Sequence, residues 1–432
     1  MKIGVDISPL QGPHRMRGIG YVAANFLKNL PASNRDSFVF YAEKNESVTL
    51  DDLADELSLK NIKSYEIRPL PARVHIKDFP GKLKYITKAL RKVQELIDYS
   101  LGVKIENVKD IDAFLQLDQS APLPRLKRKA HRYFIAYDVI PYALESDYLW
   151  NFNTARRNGL SRKAALKCLI RRSLYILKLR LNSRKATRVI AISETTKSDF
   201  HKYVGTSMRK LVSVTLGLSV VNHESSNHDG RVMRYYDTSW GYLPKPVILR
   251  GKFLLFVGGA DHRRKLDDLV AAFNHLRGES IDIQLVLSGD SMQGPRNIAT
   301  HSIQKALINS SYGDDIIYVG FSDDITRDWL YENAVAFIFP SVYEGFGLPV
   351  LEAMSYGTPV ICYKNKAVTE VASSIPFYAE DALDIKRLVV EILDTPKGIL
   401  DERLAKGVKQ AKKYHWSRAS TEILGHVTGR TN

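Results

Sequence analysis

The sequence predicts an α/β protein built from two facing doubly wound, Rossmann-like domains. Three observations predict it. The chain has 432 residues, too many for one compact core. Short apolar runs alternate with helix-length amphipathic segments. A strand followed by glycines opens each half, at Ile3 to Ile7 before Gly18 and Gly20, and at Phe253 to Val257 before Gly258-Gly259. Ligands of such domains bind beyond the carboxyl ends of the strands, so the active site is expected in the cleft between the two.

In the first half, the strand Ile3 to Ile7 leads into a glycine loop, Arg17-Gly18-Ile19-Gly20, and then Val22, Phe26, Leu27 and Leu30 repeat at helical spacing. Phe38 to Tyr41 reads as a short strand, and Leu83, Ile86, Leu90, Val93 and Ile97 form a helical stripe. Ala113 to Leu117, Arg132 to Tyr137 and Arg188 to Ile192 read as buried parallel strands joined by crossover helices. Residues 220–250 are rich in turn formers and lack sustained periodicity, which marks a linker or insertion. In the second half, Phe253 to Val257 precedes a helix through Leu266, Leu269, Val270 and Phe273. Further strands are read at Gln284 to Leu287, Ile316 to Val319, Ala336 to Phe339 and Pro359 to Tyr363. The domains are therefore expected at 1–219 and 251–414, with 415–432 a helix that packs back on the first domain.

A net charge of +16 points to an anionic partner. The basic residues are concentrated between Arg156 and Arg188, a stretch without Asp or Glu. There Leu166, Ile170, Leu174, Leu177 and Leu181 make a helical stripe with Lys167, Arg171 and Lys178 on its shoulder. That pattern suits a helix lying on an anionic bilayer. Lys82, Lys84, Lys88, Arg91 and Lys92 extend the same basic surface. No nucleic-acid module is recognisable, and basic and aromatic residues are not interleaved as a stacking platform requires. No run approaches ~18 apolar residues, and the opening MKIGVDISPL lacks a signal-peptide core. The expected location is cytoplasmic, peripheral at the inner face of a membrane. Cys168 and Cys362 are too few and too far apart for a disulfide framework or a thiolate metal site.

The most informative stretch runs from Phe339 to Met354. A strand gives way to a loop with Glu344, Gly345, Phe346 and Gly347, and Leu348-Pro349 opens a helix that carries Glu352. The glycines permit φ > 0 and close backbone approach to a ligand, and proline suits a first helical turn. Free amides at the helix start favour an anionic or hydroxyl-rich ligand. Two carboxylates on such a turn can each accept two hydrogen bonds, which matches vicinal diols of a sugar or a ribose.

This stretch resembles the signature of retaining glycosyltransferases of family 4, with the GT-B fold, in which two glutamates are separated by seven residues. Arg17-Gly18-Ile19-Gly20 resembles the family's amino-terminal glycine loop, and Tyr137-Asp138-Val139-Ile140-Pro141 its His-Asp-x-x-Pro turn. Val189 to Ser193 resembles the end of its first domain, and Phe256-Val257-Gly258-Gly259 with Arg264-Lys265 its phosphate site. The resemblance implies that Glu352 holds ribose hydroxyls, that Glu344 contacts the donor sugar, and that Arg264 and Lys265 neutralise a diphosphate. Gly258, Gly259, Arg263, Gly345, Phe346, Gly347, Leu348, Gly18 and Gly20 would complete the donor site. Asp138 joins the catalytic set, and Tyr137 and Arg17 would meet the acceptor.

The sequence departs from the family pattern at Gly259, where many relatives carry arginine, and at Tyr137, where histidine is usual. The implied donor is a nucleotide-diphosphate sugar, with GDP-mannose the leading guess. No metal or other cofactor is expected. The implied acceptor is lipid-linked or an oligosaccharide, in polysaccharide or lipopolysaccharide assembly. Two other readings stand beside this one: a GT-B epimerase acting on the nucleotide sugar, and a non-enzymatic nucleic-acid-binding protein. Oligomeric state is left open.

Overall fold

The computed structural model describes residues 1–11, 15, 18–31, 37–43, 65–70, 84–103, 110–126, 129–145, 147–148, 151–157, 159–219, 231–238, 241–249, 251–289, 305–320 and 322–430. Two compact units result: Met1–Gly217 together with His415–Asn432, and Leu218–Tyr414.

In the first unit the chain runs β1 (Lys2–Asp6), α1 (Gly18–Lys28), β2 (Ser37–Ala42), β3 (Tyr65–Pro69), α2 (Lys84–Leu101), β4 (Ala113–Gln116), β5 (His131–Ala136), α3 (Arg162–Lys185), β6 (Arg188–Ala191), α4 (Glu194–Asp199) and β7 (Leu211–Ser213). The strands form one sheet in the order β3-β2-β1-β4-β5-β6-β7, with every pairing parallel. Because helices cover both faces of such a sheet, its strands are apolar throughout rather than alternating. Phe134, Ala136, Val189 and Ala191 accordingly pack with Ile176, Leu179 and Phe200 in one buried cluster. Ser161 fixes the start of α3, its hydroxyl accepting from the Ala164 amide at 3.3 Å.

Two expectations change here. Gly18 and Gly20 lie in the first turn of α1 and not in a loop, and neither is among the glycines with positive φ. β3 and β7 add edge strands that the sequence reading did not include. The C-terminal helix, Trp416–Thr428, belongs to this unit. It buries Trp416, Ala419, Ile423, Leu424 and Val427, and Ser420 donates to the Phe26 carbonyl of α1 at 3.1 Å. Gly217 runs so close to this helix that a Cβ there would lie 2.1 Å from the Trp416 nitrogen.

The second unit opens with an antiparallel hairpin, β8 (Arg231–Thr238) and β9 (Gly241–Ile248), within the stretch expected to be a linker. Pro244 and Pro246 argue against a strand on sequence grounds. Spaced two apart, they direct their missing donors to one edge, and a two-stranded ribbon always has an open one. Then follow β10 (Phe253–Val257), α5 (Leu266–Gly278), β11 (Gln284–Ser288), β12 (Ile316–Gly320), α6 (Asp324–Asn333), β13 (Ala336–Phe339), α7 (Leu348–Ser355), β14 (Val360–Tyr363), α8 (Lys366–Ala372), β15 (Phe377–Ala379), α9 (Ala382–Asp394) and α10 (Lys397–Ala411). The parallel sheet has the order β12-β11-β10-β13-β14-β15. Strand order reverses between β10 and β13, so the loops after these two strands flank a crevice at the sheet's carboxyl edge.

Candidate active site

The loop after β10 is shaped by a glycine. Gly258 has φ 146°, and a Cβ on it would lie 2.4 Å from Arg264 Nη1. The bare backbone is therefore what lets the Arg264 side chain fold back over the strand end. Gly289, at φ 150°, passes so near that its Cβ would fall 2.0 Å from the Gly258 carbonyl oxygen. Asp261 caps the single turn His262–Arg264, its Oδ1 accepting from the Arg263 amide at 3.2 Å. Lys265 then takes a left-handed backbone, φ 41° and ψ 46°, and α5 begins. Cations at a helix start are unfavourable, but Asp267 and Asp268 in the first turn of α5 offset them.

The second arm is the loop between β13 and α7. Gly347, at φ 111°, precedes α7, and Pro349 occupies its first turn. The two arms are tied together. The Val342 amide donates to the Arg263 carbonyl at 2.8 Å, and Arg263 Nε donates to the Tyr343 carbonyl at 3.1 Å. Arg263 Nη2 reaches Glu344 Oε2 at 3.3 Å, and Nη1 lies 3.1 Å from Asp261 Oδ2. Arg264 donates through Nη1 to the Gly259 carbonyl at 2.9 Å, and its Nε lies 3.6 Å from Glu344 Oε1. Ser341, fully buried, donates to that same Oε1 at 2.9 Å.

Glu344 is therefore a carboxylate with 11% of its side chain exposed, facing two guanidiniums. Burial pushes its pKa up, but Arg263 and Arg264 outweigh burial and hold it below the usual carboxylate range. Glu352 behaves oppositely. It sits past the first turn of α7. Tyr331, at the end of α6, donates to Glu352 Oε2 at 3.1 Å. Burial raises the Glu352 pKa, and Arg327 offsets only part of that. Tyr331 stacks on Tyr356 with ring centroids 5.6 Å apart.

The structure thus gathers Gly258, Gly259, Arg263, Arg264 and Glu344, with Lys265 and Gly345 in the same two loops and Glu352 on the adjoining helix. Leu348 opens α7 as placed. Phe346 is 3% exposed and packs edge-on against Tyr414, ring centroids 5.9 Å apart, so its ring supports the loop. Gly18, Gly20, Tyr137 and Asp138 belong to the other unit, and Arg17 lies outside the described residues. Tyr137 is buried, and its hydroxyl donates to the Leu117 carbonyl at 2.8 Å, which leaves that donor committed to the fold. Asp138 accepts from the Ile140 amide at 3.1 Å, an Asx turn that leads into the short helix Ile140–Ala143. Sequence reasoning missed Ser341, Asp261, Arg327 and Tyr331. Only the i, i+4 spacing of Arg327 and Tyr331 on α6 offers a signal, and it does not say which face meets Glu352. Among the described residues no group of three His, Cys, Asp or Glu could hold a metal ion.

Both arms lie in a segment with known relatives. Residues 244–410 match the family Glycosyl transferases group 1. The chain is 29% identical over 197 residues to O-antigen chain mannosyltransferase B of Escherichia coli, covering 45% of this chain and 47% of that one. It is 25% identical over 255 residues to the serotype-specific mannosyltransferase WbdA of Escherichia coli, covering 58% of this chain and 29% of that one. The chain spans about half the length of the first relative and under a third of the second. WaaG, a glycosyltransferase involved in lipopolysaccharide biosynthesis, superposes with a TM-score of 0.59 over 99% of this chain and 100% of that one, at 13% identity. That likeness shows a shared fold, GT-B, with two parallel-sheet α/β domains. Glu344, Glu352, Arg263, Arg264 and Lys265 all fall inside the glycosyltransferase group 1 segment.

Proposed function

We propose that the protein is a retaining glycosyltransferase that moves a sugar from a nucleotide-diphosphate donor to a lipid-linked or oligosaccharide acceptor in surface polysaccharide assembly. The observation that carries this reading is the meeting of Glu344 with Arg263 and Arg264 at the carboxyl ends of β10 and β13, where the strand order reverses. Glu344 would accept from sugar hydroxyls, and Glu352 from the ribose. Arg264 and Lys265 would face the diphosphate. As the bond from the anomeric carbon to phosphate breaks, charge grows on the leaving group, and preorganised cations stabilise it most at that moment. The acceptor oxygen would bond to the same face of that carbon, its proton passing to the departing phosphate. With that charge met by side chains, transfer needs no metal and should survive excess EDTA. Full dependence of transfer on added Mg²⁺ or Mn²⁺ would count against this.

The mannosyltransferase relatives support GDP-mannose as the leading donor. Thermal shifts with GDP, UDP, ADP and dTDP sugars test it, because a ligand selective for the folded state raises its melting temperature. Glu344→Ala should lower kcat by about a hundredfold or more, the range seen when one transition-state contact is lost. Undiminished transfer by that variant would end the reading. Neither the epimerase nor the nucleic-acid alternative draws support from the relatives.

An acceptor on a lipid suits the first unit. Among the described residues no helix is long and apolar enough to cross a membrane. However, α2 exposes Leu90, Val93, Ile97 and Leu101, and α3 exposes Leu166, Leu169, Ile170 and Leu177. Lys178 of α3 pairs with Glu95 of α2 and joins the two helices. Arg91, Lys92, Lys167 and Arg171 are exposed on the same helices. Apolar side chains rimmed by cations suit an anionic leaflet at the inner face of a membrane.

A further inference from the structure

We propose that Glu344 is an anionic placeholder: its carboxylate neutralises Arg263 and Arg264 in the empty site, yields Arg264 to the donor's diphosphate, and returns as the nucleoside diphosphate departs. This rests on the donor-site reading above and adds a role in product release.

The geometry separates the two arginines. Arg263 places Nε on the Tyr343 carbonyl, Nη1 beside Asp261 and Nη2 on Glu344, so all three nitrogens are engaged in joining the loops. It is a positioning residue that tethers Glu344. Arg264 spends one nitrogen on the Gly259 carbonyl at 2.9 Å. Its Nε stands 3.6 Å from Glu344 Oε1, inside ion-pair range but beyond a good hydrogen bond. Arg264 is thus the cation that can change partner with least loss. Ser341 holds the same Oε1 at 2.9 Å, so the carboxylate keeps a donor when Arg264 turns away. Gly258, without a side chain, leaves the space beside Arg264 Nη1.

The consequence is a matter of charge. Transfer converts a nucleotide sugar into a nucleoside diphosphate that carries one more negative charge. A fixed carboxylate beside the diphosphate site therefore repels the product more than the donor. Placing Glu344 between two guanidiniums keeps the site from being a sink for its own product. It also gives the largely buried Arg264 a carboxylate partner, while Arg263 keeps Asp261 as a second one, and an unpaired buried cation costs heavily.

The experiment is calorimetric titration with whichever of GDP, UDP, ADP or dTDP binds the wild-type protein most tightly. Glu344→Gln removes the charge and keeps the shape, and should bind that nucleotide about tenfold more tightly, as expected for one unit charge lost near a diphosphate. Its affinity should fall more steeply with salt, and product inhibition of residual transfer should strengthen. Glu344→Asp, which keeps the charge, should stay near wild type, and Glu344→Ala covers the case in which the glutamine variant is unstable. Unchanged or weaker nucleotide binding in both uncharged variants, with wild-type binding intact, would overturn the placeholder and leave the donor site standing. Absence of binding by the wild type to all four nucleotides would overturn both.

Discussion

Gly258 shows how much one residue can decide. With φ at 146° and Arg264 Nη1 2.4 Å from where a methyl would stand, Gly258→Ala must either strain the backbone or evict the guanidinium. We expect about 1–3 kcal/mol of destabilisation in chemical denaturation and a larger loss in kcat than in donor binding, read from steady-state kinetics. Asp6, at the end of β1, is 3% exposed and accepts from the Ser8 amide at 2.9 Å. Burial lifts its pKa from 3.8 to about 6, against hydrogen bonds from Ser8 and Gln116 that oppose the shift. A raised folded-state pKa means the folded protein binds the proton more tightly, so this contribution to stability is full below about pH 4 and is lost as pH rises through about 6. Asp6→Asn should flatten the stability profile over that window by on the order of 2–3 kcal/mol. A profile that keeps its slope in the variant would refute the assignment. At this scale the sequence singled out Glu344, Arg263, Arg264 and Gly258, and the structure brings them together in two adjoining loops. It did not show that the Tyr137 hydroxyl and the Phe346 ring are engaged by the fold, since nothing in a sequence tells whether a hydroxyl is already spent on a carbonyl or a ring on another ring.

Among elements, the buried parallel strands were the most legible: Phe253–Val257 and Ala336–Phe339 have the bounds their apolar runs imply. β7 and β15 escaped because three residues, Leu211–Ser213 and Phe377–Ala379, are too few to show a period. The hairpin β8–β9 escaped because its prolines break the pattern. α3 was read as amphipathic, but its faces were assigned only in part. The structure buries Ala165, Ile176 and Leu179, leaves Leu166, Ile170 and Leu177 exposed, and half-buries Leu174 and Leu181. Hence a prediction belongs to this helix. Lys167→Glu with Arg171→Glu should cut binding to vesicles containing phosphatidylglycerol about tenfold or more, at about 1 kcal/mol per charge removed. Binding to neutral phosphatidylcholine vesicles should change little. Equal binding of wild type and variant to anionic vesicles would dismiss the membrane face.

For the molecule as a whole, the second unit is an insertion within the first, since the chain leaves the first unit after Gly217 and re-enters it at His415. The two ends of the insertion are joined, the Leu218 amide donating to the Tyr414 carbonyl at 3.1 Å. Removal of His415–Asn432 would strip Trp416, Ile423, Leu424 and Val427 from the first unit, each worth roughly 1.5–3 kcal/mol when fully buried. Calorimetry should then show the melting of that unit lowered by roughly 10 °C or more, with nucleotide binding by the second unit retained. A single unchanged transition would contradict the division.

The same threading has a consequence for birth on the ribosome. Synthesis proceeds from the amino terminus, and the cap on α1 is translated only after all of Leu218–Tyr414. Until then the nascent first unit presents an apolar groove to the crowded cell, while the second can fold as it emerges. The order of maturation should thus invert the order of translation, with the later-made unit finished first and the earlier one waiting for its final helix.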